Sequence, residues 1–150
     1  MTLSDRLKVR LAIEELNAAF VFYLDHNKVE PLVNLFTTNA LYTHGERRTE
    51  GRDALRALFI GRIAAGPRTT RHLYSGLMID IHDERSASGR SVCMLFCANQ
   101  TPPIDFCAPQ LVADFVDRYV LDTDGRWRIE WRDIQRIFAA SAVGGNSGVN

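Results

Sequence analysis

Gly66-Pro67 divides this chain into two parts with different apolar periods. Before it, large apolar side chains recur at helical spacing; after it they alternate, as in half-buried strands. Helices first and strands later predict an α+β fold with a mainly antiparallel sheet. Three amphipathic helices must bury their apolar faces. A curved sheet closing over them in a cone-shaped barrel, with a pocket inside, is the simplest way to do so.

The elements follow from local signals. Thr2 to Asp5 loosely matches a capping box, and Leu7, Leu11, Leu16, Phe20 and Leu24 mark one face of a long helix ending near Asp25-His26-Asn27. Val29 to Phe36 predicts a short second helix with Pro31 in its first turn, and Thr37-Thr38-Asn39 breaks it. Ala40 to His44 reads as a short strand and Gly45 to Gly51 as a polar turn. Arg52 to Ala65 predicts a third helix with Leu55, Leu58, Phe59 and Ile63 on one face. Beyond the break, Leu77, Ile79 and Ile81 share one face of a strand over 73–83, and Glu84 to Arg90 reads as a turn. Ser91 to Gln100 is apolar on both faces, as a central strand would be. Thr101 to Pro109 is a loop. Leu111 to Asp122 and Trp127 to Phe138 flank Asp124-Gly125, a strong hairpin signal.

The 150 residues fit one domain over 1–150, with its core at about 5–138 and a loose tail at about 142–150. With 18 basic and 18 acidic side chains, the chain has no electrostatic footprint for nucleic acid or anionic lipid. No apolar stretch approaches the ~20 residues of a membrane span. The charged N-terminus lacks an apolar signal core, so a cytoplasmic protein is expected. Cys93, Cys97 and Cys107 are odd in number and read as small hydrophobes; no metal-ligand spacing occurs.

Three pieces in a fixed order carry a family resemblance. Tyr23-x-Asp25 closes the first helix and is followed by the second helix from Val29. Gly51-Arg52-Asp53-Ala54 opens the third helix. Thr70-Arg71-His72 leads into a strand. Over about residues 5–138 the chain resembles the SnoaL-like branch of the nuclear transport factor 2-like superfamily, and within it scytalone dehydratase and related polyketide cyclases. The resemblance implies a cone around a deep apolar pocket that works with no metal and no organic cofactor. Its ligand is a small apolar oxygenated molecule.

Asp25 and His72 match the family's catalytic Asp-His pair. A neutral imidazole is a suitable base near neutral pH, and a buried carboxylate on its other nitrogen sets the tautomer. The competing reading is a helix-capping Asp and a structural His. Tyr23 lies two residues before Asp25, so it points about 200° away on the helix. Tyr42 and His44 share a face of the short strand and could polarise a carbonyl. The family's second histidine is missing from the strand at 91–100, where Cys97 or Asn99 takes its region, and Phe115 lies near the expected pocket asparagine. Asn99 could donate a hydrogen bond to an oxyanion. Asp114 and Asp117 read as rim or surface carboxylates, with one of them a candidate to face the pocket. Arg128, Arg132 and Arg136 share one face of the last strand, exposed or in cross-strand pairs, opposite Trp127 and Trp131. Arg47-Arg48, with Glu46 and Glu50, reads as part of a solvated loop, with a fold over the pocket as the alternative.

The implied function is a cofactor-free lyase, isomerase or cyclase. The rivals are a non-catalytic scaffold, like the β subunit of aromatic-ring dioxygenases, and a binding protein for an apolar metabolite. A homo-oligomer is expected, with the two tryptophans as candidates to cover the outer sheet face.

Overall fold

In the computed structural model, which describes residues 1–140, a 23-residue helix α1 (Leu3–Asp25) leads into the rest of the fold. It is followed by α2 (Val29–Val33), β1 (Phe36–His44), β2 (Arg47–Glu50), α3 (Arg52–Ala64), β3 (Thr69–Ile81), β4 (Ser86–Ala98), β5 (Pro109–Leu121) and β6 (Trp127–Ala139). The tail expected at about 142–150 lies outside the described residues. The six strands form one sheet in the order β2-β1-β6-β5-β4-β3. β1 runs parallel to β6, and every other pairing is antiparallel. With the helices packed against it, this is the α+β cone. No helix among the described residues is long and apolar enough to cross a membrane.

The capping box of α1 forms as expected: the Asp5 backbone N–H donates to Thr2 Oγ1, and Thr2 N–H donates to Asp5 Oδ2. The buried face of the helix differs in part. It runs through Val9, Ile13, Leu16, Phe20 and Leu24, whereas Leu7 and Leu11 are each 57% exposed. Two-turn, seven-residue steps back from Leu16 and Phe20 reach Val9 and Ile13, so these β-branched residues continue the face and Leu7 and Leu11 do not.

α2 is shorter than expected and ends at Val33. Phe36 already belongs to β1, fully buried and edge-on to Phe20 and Tyr42. Thr37-Thr38-Asn39 therefore continues a strand, in keeping with the β-branched threonines. The polar stretch after Gly45 is itself the edge strand β2, paired with β1 from Leu41 to His44. β4 begins at Ser86, inside the expected turn. Small residues make that possible: Ala87 is buried, and Gly89 lies beneath the Tyr119 ring. A Cβ at Gly89 would sit 3.0 Å from the Met78 carbonyl oxygen and 3.1 Å from Tyr119 Cε2. Gly89→Ala is expected to cost about 1–3 kcal/mol by overpacking, read from the midpoint of urea unfolding.

Irregularities bend the sheet and change which side chains share a face. In β3 the register shifts between Ser75 and Met78, where Gly76 has φ +67°. In β6 Glu130 is an extra residue, because Arg118 pairs with Trp131 and Tyr119 with Ile129. A bulge inserts one residue and reverses the alternation beyond it. Trp127 and Trp131 consequently do not share a face. Trp127 packs against the core, and Trp131 stacks beneath the Arg118 guanidinium on the outside.

The same bulge turns Arg132 inward. Its side chain is fully buried, as is that of Asp117, which was expected at the rim or surface. Arg132 Nε donates to Asp117 Oδ1 at 2.7 Å and Nη2 to Oδ2 at 2.8 Å. Nη2 also donates to Asn17 Oδ1. Tyr119 Oη donates to Asp117 Oδ2 at 2.6 Å, and Asn17 Nδ2 donates to Tyr119 Oη at 3.0 Å. One ionic cluster thus ties α1 to β5 and β6.

Candidate active site

Asp25 is the last residue of α1, and His72 the fourth of β3. α1 packs along β3, which brings them together. Asp25 Oδ1 lies 2.6 Å from His72 Nδ1 and accepts a hydrogen bond from Thr70 Oγ1 at 2.8 Å. Oδ2 accepts the His72 backbone N–H at 2.8 Å. The Asp25 and His72 side chains are 5% and 8% exposed. Burial pushes the Asp25 carboxyl up, but the bonds from the His72 ring, the His72 backbone and Thr70 outweigh it and hold the group below its ordinary value. An ionised Asp25 can only accept, so Nδ1 carries a ring proton, which makes Nε2 the nitrogen able to act as a base.

The His72 ring lines a cavity of about 190 Å³ whose apolar wall includes Phe20, Leu24, Phe115 and Ile134. Nε2 makes no hydrogen bond among the described residues. Tyr42 lines the same cavity, and burial pushes its phenol up, so the hydroxyl stays a donor. That hydroxyl too has no partner among the described residues. His44 stands at the mouth, where Nε2 accepts from Arg136 Nε at 3.0 Å. Burial, followed by the charges of Arg136, Arg47 and Arg62, lowers its pKa, so the ring is neutral at pH 7.

The other expected residues fall in different places. Phe115 lies in the wall, edge-on to Phe20. Tyr23 lines a neighbouring cavity of about 370 Å³, together with Asn27, Thr70 and Pro102. Cys97 does not line the His72 cavity; its carbonyl lies 3.4 Å from Cys107 Sγ. Asn99 borders a shallow depression beside Gly61 and Arg68. The β4 residues that reach the cavity are Cys93 and Leu95, and burial pushes the Cys93 thiol up to about 12, which leaves it protonated. Among the described residues, no group of three His, Cys, Asp or Glu side chains could hold a metal ion.

Sequence reasoning missed Arg62 and Arg68 and offered Arg47 at the pocket only as the alternative to a solvated loop. Arg47, Arg62 and Arg68 line the cavity, and Arg136 reaches it through His44. Arg62 was legible in principle. It lies three residues beyond Phe59 and seven beyond Leu55, on the buried face of α3.

The family described as SnoaL-like domain matches residues 5–133. No curated protein matches the sequence. Among solved structures, a candidate scytalone dehydratase from Novosphingobium aromaticivorans DSM 12444 is 25% identical with a TM-score of 0.78, covering 97% of this chain and 100% of that one. ActVI-ORFA from Streptomyces coelicolor is 14% identical with a TM-score of 0.75, covering 86% and 97%. LinA is 18% identical with a TM-score of 0.78, covering 99% and 100%. The last two likenesses are likenesses of fold.

Proposed function

The chain belongs to the SnoaL-like domain family, and from that premise we propose that it is a cofactor-free lyase or isomerase acting on a small, largely apolar, oxygenated molecule. The carrying observation is the 2.6 Å contact between Asp25 and His72 Nδ1, with His72 lining a cavity that has an apolar wall. His72 Nε2 takes a proton from the carbon next to a carbonyl, and Asp25 holds the imidazolium that forms. Tyr42 Oη donates to the carbonyl oxygen as it gains charge. In a dehydration, the C–H pair becomes the new C=C bond. The β C–O bond then breaks and His72 returns its proton to the departing hydroxide, giving water. Proton return to another carbon would instead give an isomer.

The test is to incubate the protein with β-hydroxy ketones and follow water loss by mass spectrometry. Wild type is expected to turn over at least one of them, and His72→Ala to fall by about 10²–10⁴-fold. Equal turnover by the variant would remove the mechanism. A ligand carried unchanged through purification would favour a binding protein, and a requirement for a second chain would favour a scaffold.

A homo-oligomer is also proposed, on a surface other than the tryptophans. Leu73, Met94, Val112 and Phe138 are register partners across β3, β4, β5 and β6, on the outer face. Leu73 and Phe138 are 58% and 70% exposed. A second copy of the chain would cover this row. Met94→Glu is expected to shift the sedimentation coefficient toward the monomer, whereas an unchanged coefficient would exclude this face.

A further inference from the structure

The chain balances 18 basic against 18 acidic side chains, but the cavity does not. Arg47, Arg62, Arg68 and, through His44, Arg136 face it or its mouth. The nearby carboxylates are committed elsewhere. Asp25 accepts from Thr70 and from the ring and backbone of His72. Asp133 is taken by Thr43 and Gln135. Arg10, Arg48, Arg56, Arg90, Arg128 and Arg132 all have ion pairs. None of the four cavity arginines has one among the described residues, and residues 141–150 contain no Asp or Glu.

Arg62 is the decisive member. It is partly buried, makes no hydrogen bond among the described residues, and lines both the 190 Å³ cavity and its 370 Å³ neighbour. Burial, with Arg68 and Arg47 adding repulsion, lowers its pKa. Leu24 and Arg68 are the other residues the two cavities share. A desolvated guanidinium without an anion is unfavourable, and its planar fork matches a carboxylate.

We propose that the molecule bound beside His72 carries a carboxylate, which Arg62 and Arg68 receive while its carbonyl end lies in the apolar part of the cavity toward His72 and Tyr42. This rests on the reading of that cavity as the substrate site, and it narrows the substrate class to oxo or hydroxy acids. A purely transient role for Arg62, stabilising an enolate, would give no preference for an anion in the ground state.

The test uses benzoate and its neutral isostere benzamide, titrated into the full chain and followed by amide chemical shifts. Benzoate is expected to bind wild type at least about tenfold more tightly than benzamide, as a charge-assisted bidentate pair would dictate. Shifts should centre on His72 and Phe115. Arg62→Gln should weaken benzoate far more than benzamide and so abolish most of the preference. Arg68 is exposed, so Arg68→Gln provides a variant that does not disturb the core; it should weaken benzoate in the same direction. Equal affinity for the two probes, or a preference that survives both substitutions, overturns the proposal. Wild-type turnover of neutral ketols without a benzoate preference would sink this inference alone. If neither probe moves His72, the cavity is not a ligand site and both readings fall.

Discussion

Asp117→Ala is expected to lower the stability of this protein by about 3–5 kcal/mol, because it strands a buried guanidinium. For a chain of this length that is a fall in melting temperature of roughly 6–20 °C. Arg132 would keep its bond to Asn17 and lose both bonds to Asp117, and Tyr119 would lose its acceptor. The Phe20 and Phe115 rings, 4.3 and 4.6 Å from the guanidinium carbon, do not replace an ionic partner. One guanidinium nitrogen, Nη1, is already without a partner among the described residues. Arg132→Met is the reciprocal case and leaves the carboxylate with Tyr119 alone. The double variant Asp117→Ala/Arg132→Met should lose less than the sum of the single losses, since the interaction is counted once. Urea unfolding of all four proteins checks this, and strict additivity would mean that the pair is not coupled. The functional consequence is local. Phe20 and Phe115 rest against Arg132 and also wall the His72 cavity, so a loosened network loosens the site.

What could be read from the residues divides by the range of the interaction. The capping box at Thr2, the turn at Asp124-Gly125 and the helical face of Leu55 and Phe59 each depend on neighbours a few residues away, and they form as the local chemistry dictates. The start of β4 at Ser86 and the whole of β2 depend on partners elsewhere in the chain. Their own residues are small or polar and carry no apolar alternation. The extra residue at Glu130 has no signature in its own segment, and it alone decides that Arg132 faces the core and Trp131 the solvent. The candidate site divides in the same way. Asp25 and His72 were visible through the order of short motifs, and Tyr42 and His44 through strand parity. Cys97 and Asn99 lie beyond Leu95, the last residue of this segment that lines the cavity. Arg47 was read as part of a loop and Arg62 and Arg68 were not singled out, because charged side chains ordinarily favour the surface.

Asp25→Asn is expected to reduce turnover nearly as far as His72→Ala, within the same span of about 10²–10⁴-fold. The amide is almost the shape of the carboxylate, so the loss would not come from a hole in the packing. An amide nitrogen turned toward His72 Nδ1 would donate, forcing the proton onto Nε2 and removing the lone pair that faces the cavity. An amide oxygen turned the same way would keep the tautomer but lack the charge that holds the imidazolium. Either orientation impairs the base. The acid dependence of stability separates this from a purely capping role. The folded carboxyl is held below its unfolded value of about 3.9. Asp25 therefore stabilises the fold fully above that value, and the contribution is lost as pH falls through the folded pKa. The stability difference between wild type and Asp25→Asn should be largest at neutral pH and shrink below about pH 4, measured by urea unfolding across that range. A variant with this stability signature and a normal rate would make Asp25 a helix-end anchor for β3 and leave His72 without an orienting partner. Loss of rate together with the shrinking difference is the result that a positioning carboxylate requires. The rate at neutral pH then reports the tautomer, and the acid limb reports the three hydrogen bonds that hold it.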